Sequence, residues 1–185
     1  MYPHTKKRKL WTVVLLTTML LGLALLPPQR AYSQVGRNAL AACAKIAFST
    51  EEDFITQGPE PPDGNPIISD GDLLSPTGVV CARNWNLVHD IFDVDQDLGL
   101  DAADVLNVER YLVAFSTELD SPHGNFTAGD LLVTTSPGTV IPNVVLTWQF
   151  KIGYDIGLDS VHFVGNLDSI IAFLDEVKGK SRDEW

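Results

Sequence analysis

The chain has 185 residues, enough for one domain or two small ones. All 24 acidic residues lie after position 33 with eight of the 13 basic ones, so that part carries −16 where the whole chain carries −11. Such a charge excludes nucleic acid and anionic membrane surfaces as partners, because both require a basic footprint.

At the N-terminus, Lys6, Lys7, Arg8 and Lys9 precede an apolar run over residues 11–26 that Pro27 and Pro28 stop. The run is shorter than the roughly 20 residues a spanning helix needs. Ala31 and Ser33 then place small residues at both cleavage positions. Residues 1–33 are expected to be a secretory signal peptide, so the protein acts outside the cell. The alternative is an uncleaved N-terminal helix that anchors the chain, and only this segment is expected to meet a membrane. Leu40-Ala41-Ala42-Cys43 has the letters of a lipobox, but Pro27, Pro28, Gln29, Arg30 and Arg37 part it from the apolar run. In an exported chain Cys43 and Cys81 are expected to form a disulfide.

Beyond Ala44 the chain repeats itself. Phe48-Ser49-Thr50-Glu51 returns as Phe115-Ser116-Thr117-Glu118, and Gly71-Asp72-Leu73-Leu74 as Gly129-Asp130-Leu131-Leu132. Gly99-Leu100-Asp101 returns as Gly157-Leu158-Asp159. Asp130 follows Asp72, Asp159 follows Asp101 and Phe173 follows Phe115 by the same 58 residues. This constant spacing implies an internal duplication, with repeat one over 44–110, repeat two over 111–176 and a polar tail at 177–185. Phe173 would then open a truncated third copy. The first repeat is longer because of residues 58–66, where Pro59, Pro61, Pro62, Gly64 and Pro66 dictate an exposed loop.

Strand signals run through 79–81, 140–141, 144–150 and 161–164, all β-branched or aromatic stretches between Gly, Pro or Asn. Residues 103–108 and 111–118 suit a hairpin. Residues 84–92 fit a short helix as well as a strand, with Leu87/Ile91 and Val88/Phe92 at helical spacing. The fold expected is mainly β: two repeats packed into a sandwich or barrel, with room for one short helix per repeat.

The densest run of carboxylates is 93–104. Counting from Asp93, the side chains of Asp93, Asp95, Asp97, Asp101 and Asp104 fall at positions 1, 3, 5, 9 and 12, where an EF-hand loop places calcium ligands. This stretch resembles the calcium loops of dockerins, the docking modules of bacterial cellulosomes. The resemblance implies a bound calcium ion and an exiting helix that meets a protein partner. Leu98 stands where the loop wants glycine, and the second copy has Lys151, Gly153 and His162 at positions 1, 3 and 12. The competing reading makes Asp97 and Asp101 turn residues, with Gly99 and Gly157 supplying a special backbone angle. The doubled motifs are also similar to repeats in exported bacterial proteins, a likeness that carries no activity.

No Gly-x-Ser-x-Gly, His-Glu-x-x-His or phosphate loop is present. Glu51 with Glu118, or Asp72 with Asp130, are the candidate carboxylate pairs for hydrolysis; otherwise they are strand-end and turn residues. Trp85 and Trp148 are candidates for contact with carbohydrate or protein. The function expected is an exported, non-enzymatic structural or binding module, with calcium as its candidate stabiliser and a protein or carbohydrate partner at the cell exterior. The alternatives are a dockerin-like docking module and a hydrolase using a carboxylate pair.

Overall fold

A computed structural model describes residues 34–185; the segment assigned to the signal peptide lies outside them. The chain enters through helix α1 (Gln34–Ala42), followed by four short strands, β1 (Phe54–Ile55), β2 (Ile67–Ile68), β3 (Leu73–Leu74) and β4 (Val80–Ala82). Helix α2 (Asn84–Phe92) leads to strands β5 (Ala102–Asn107), β6 (Leu112–Ser116), β7 (Leu131–Val133) and β8 (Thr139–Ile141). Helix α3 (Asn143–Leu146), a 3-10 turn at Trp148–Phe150, helix α4 (Leu167–Val177) and a 3-10 turn at Arg182–Glu184 complete it. All pairing is antiparallel, in three sheets ordered β1-β2, β3-β4 and β5-β6-β7-β8. The architecture is therefore β-rich with a few helices.

The four-stranded sheet is buried on both faces, and its period-2 alternation divides two cores. Val113, Phe115, Leu132 and Val140 point into the larger core with Leu73, Cys81, Leu87, Phe92, Val94 and Leu98 from the first half. Leu112, Ala114, Leu131, Val133 and Ile141 point the other way, where Leu174 and Val177 of α4 cover them. Phe92 meets Phe115 and Phe126 edge-on, with ring centroids 6.1 and 5.7 Å apart.

The expected hairpin is present as β5 and β6, with Ala103 opposite Phe115. Residues 84–92 resolve to a helix. Three expectations need correction. Residues 144–150, read as a strand, form α3 and a 3-10 turn, because Pro142 and the tethered Asn143 turn the chain and override the β preference of Val144 and Val145. Residues 161–164 form no paired strand; Phe163 instead donates its amide to Asp104 Oδ2 at 2.8 Å. The third copy does not begin at Phe173, which lies within α4. There Asn166 accepts the Ser169 amide as an N-cap, and Ile170 and Leu174 sit one helical turn apart on the packed side. The glycine expectation holds: Gly99 and Gly157 both have positive φ, 67° and 81°.

Cys43 and Cys81 form the disulfide expected, tying the end of α1 to β4 across 38 residues. The strands it braces have only two or three residues each. In the chain-entropy picture a loop of this length is worth about 3–4 kcal/mol. Cys81→Ser is expected to lower unfolding stability by about that amount, measured by denaturant melts beside the reduced wild type.

Candidate functional site

Two polar stations, one per half, determine how the loops leave the sheets. In the first, the buried carboxylate of Asp72 closes a turn by accepting the Ser69 amide at 3.2 Å. Its other oxygen accepts the Asn84 amide at 3.0 Å and so fixes where α2 begins. The Asn84 side chain then accepts the Leu98 amide at 3.2 Å, and Asp97 accepts the Gly99 amide at 3.1 Å. In the second, Asp130 accepts the Thr127 and Asn143 amides, both at 2.9 Å. Asn143 accepts the Ile156 amide at 3.2 Å, and Asp155 accepts the Gly157 amide at 2.9 Å. Gly71 and Gly129 are required here, since a Cβ at either would collide with the carboxylate of Asp97 or Asp155.

Each buried carboxylate also receives a guanidinium. Arg83 bonds Asp72 and, in a fork, both oxygens of Asp63, at 2.6 and 3.0 Å. It donates further to the carbonyls of Ile67 and Asn65, both at 2.7 Å, which straps the proline-rich loop to β4. This contact holds the Asp63 carboxyl below the usual carboxylate range. Arg182 reaches Asp130 at 3.1 Å from the C-terminal segment. That segment also lies along β8, where Trp185 donates to the Val140 carbonyl at 2.7 Å. Sequence reasoning missed both arginines, because neither shares a repeat position with the other.

Around Arg83 lies a cleft of about 390 Å³ that includes Asp63, Ser69, Trp85, Asn86 and Asp97. Trp85 stands half exposed at it, stacked on His89 with centroids 4.0 Å apart. Trp148 is more exposed and lines a separate cleft of similar volume with Lys151 and Ile152.

The five carboxylates of 93–104 are not gathered at one point. Asp93 is the left-handed C-cap of α2, and Asp95 faces His89 Nε2 at 3.2 Å. Asp97 is occupied by the Gly99 turn, while Asp104 accepts the Phe163 amide and pairs with His162 Nδ1 at 3.2 Å. Asp101 is exposed at the start of the hairpin, and the chain beyond it is strand β5 rather than a helix. Among the described residues no three acidic, histidine or cysteine side chains converge as a metal requires. The ligand set that the dockerin resemblance implies is therefore not assembled among the described residues.

What the loops do bring near one another is charge. Partial burial, then the charges of Asp97 and Asp53, push the Asp70 carboxyl up. Burial, Asp159 and Glu51 do the same to Asp101. Burial raises Glu118 as well, with Asp70, Asp101, Glu51 and Asp97 adding to the effect. Glu51 and Glu118 are thus close enough to repel. Asp72 and Asp130 do not pair with each other; each is taken up by its own turn.

No family model, no curated protein and no solved structure matches this chain. Among the described residues, no helix is long and apolar enough to cross a membrane.

Two outcomes are expected. A carboxylate held above its ordinary range contributes stability below that range and loses it as pH rises. Glu118→Gln should therefore stabilise at pH 7 by about 0.5 kcal/mol and have no effect well below 4.5, the ordinary glutamate value, in paired thermal melts. Calcium should raise the melting temperature no more than magnesium at equal ionic strength, in wild type and in Asp95→Ala alike. A calcium-specific rise lost in that variant would restore the metal site.

Proposed function

We propose that this protein is an exported, non-enzymatic structural or binding module built from two copies of one unit. The observation that carries the reading is the station made twice: Asp72, Asn84 and Asp97 in one half, Asp130, Asn143 and Asp155 in the other. Each residue holds backbone in the same way as its counterpart. The serines of the two Phe-Ser-Thr-Glu motifs support it too, since Ser49 and Ser116 donate to the carbonyls of Leu100 and Leu158, both at 2.7 Å. Strand register agrees: Phe48 bridges Leu74 as Phe115 pairs with Leu132. The motif side chains are thus spent on holding the fold, and neither serine is set against a general base. Export is supported by the basic and apolar N-terminal segment and by the disulfide.

A second reading, hydrolysis by a carboxylate pair, draws on Asp101 and Glu118, both held above the ordinary range. Neither lines the cleft at Arg83.

Matched substitutions test the duplication. Asp72→Ala and Asp130→Ala each strip two backbone amides of their buried acceptor and an arginine of its partner there, and each should cost about 3 kcal/mol in urea melts. One variant unfolded and the other silent would show that the stations are not equivalent. Glycoside or ester hydrolysis by the purified chain, lost in Glu118→Gln, would favour the second reading.

A further inference from the structure

The two halves meet through apolar positions that, on the duplication proposed above, must also exist at the outer face of each half. At the inner junction Leu87, Phe92, Val94 and Leu98 of the first half are at most 9% exposed. They pack in one core with Val113 and Phe115, which are both fully buried. The counterparts on the second half are Leu146, Phe150, Ile152 and Ile156. Leu146, Phe150 and Ile156 are 39%, 78% and 52% exposed. The counterparts of Val113 and Phe115 on the first half are Ile46 and Phe48, 61% and 42% exposed. The head surface is therefore open outside the chain, and the tail surface is open at Leu146, Phe150 and Ile156, beside the strands that α4 covers.

Helix geometry at the open tail matches the covered one. Lys151 caps its turn in the left-handed conformation at φ 57°, as Asp93 caps α2 at φ 59°. Across the junction the amides of Glu118 and Leu119 donate to the Leu98 carbonyl at 3.0 and 3.1 Å. The matching groups at the outer faces are the Glu51 and Glu52 amides and the Ile156 carbonyl. Charge favours the outer contact over the inner one. Lys151 replaces Asp93 on the tail, while Glu51, Glu52 and Asp53 flank the head.

We propose that the occupant of each open face is a second copy of this chain, joined head to tail, with Phe48 of one copy entering the site around Phe150 of the next. The contact repeats the chain's own junction. Because head and tail are different surfaces, association is heterologous and runs on as a filament or closes as a ring rather than stopping at a symmetric dimer. Net charge of one sign opposes it, so salt strengthens it.

Sedimentation of the purified exported chain over a range of concentration and salt tests this. Wild type should form a series beyond the dimer, growing with salt. Phe48→Asp and Phe150→Asp should each be monomeric alone, while an equimolar mixture gives a 1:1 dimer and nothing larger, because one intact head and one intact tail remain. A wild type that stays monomeric at all concentrations overturns the proposal. So does a symmetric dimer that Phe48→Asp leaves intact, as would follow from tail-to-tail contact. Equal losses in Asp72→Ala and Asp130→Ala beside a monomeric wild type would mean that the duplication stands and the assembly does not. A loss in one variant with none in the other would remove the duplication itself.

Discussion

A carboxylate taken out of water and satisfied by two backbone amides and one arginine is the constraint on which the rest depends. Burying an unpaired carboxylate is prohibitive, whereas one with three donors is tolerated and becomes a rigid joint. Asp130 is fully buried and Asp72 nearly so. Each aligns the end of a turn with the start of the following helix, so strand, turn and helix lose their independence at that atom. The asparagine that begins the helix then reaches the Gly-Leu-Asp turn, which carries the chain onward to the next hairpin in the first half. A local polar contact thereby sets the spacing of apolar surfaces some 14 residues further along.

The halves satisfy this constraint with different means. Arg83 stands beside Asn84 in sequence, while Arg182 arrives from the far end of the chain. Asn143 donates its amide nitrogen to the Gly129 and Gly157 carbonyls, at 3.1 and 3.0 Å, whereas the corresponding nitrogen of Asn84 is buried without a partner. The second station is thus the better satisfied of the two. The first compensates covalently: its short strands are held by the Cys43–Cys81 bridge, where the second has the five-residue strand β6 and the cover of α4.

Apolar burial and charge repulsion compete at the junction, and magnitudes decide the outcome. Each buried Phe or Leu there is worth about 2–3 kcal/mol. Carboxylates at the partly exposed rim repel by a few tenths each, because water and salt screen them. Glu118 can therefore lie against Gly99 despite its acidic neighbours. The rim charge costs little stability, and it leaves the apolar surfaces to determine what packs on what.

Spacing and residue type were enough to read the disulfide, the β5–β6 hairpin, the glycine turns and the pairing of motifs at a constant offset. Those features are local, or follow from identity between two stretches. The five carboxylates of 93–104 were legible as a pattern, but their destinations were not. Spacing places an oxygen along the chain, whereas a partner such as His89 or Phe163 decides which way it turns. Residues 144–150 and the third copy expected at Phe173 went wrong for a related reason: β-branched composition suggested a strand in the one, and the 58-residue offset suggested a repeat in the other. Pro142, the Asp130 tether and the Asn166 cap dictate helix instead, and only the folded chain brings the tether to its site. The sequence by itself determined which side chains recur; tertiary structure decided which of them are covered. Burial depends on what lies opposite, and for Leu87 and Leu146 that differs although their local sequence roles are the same.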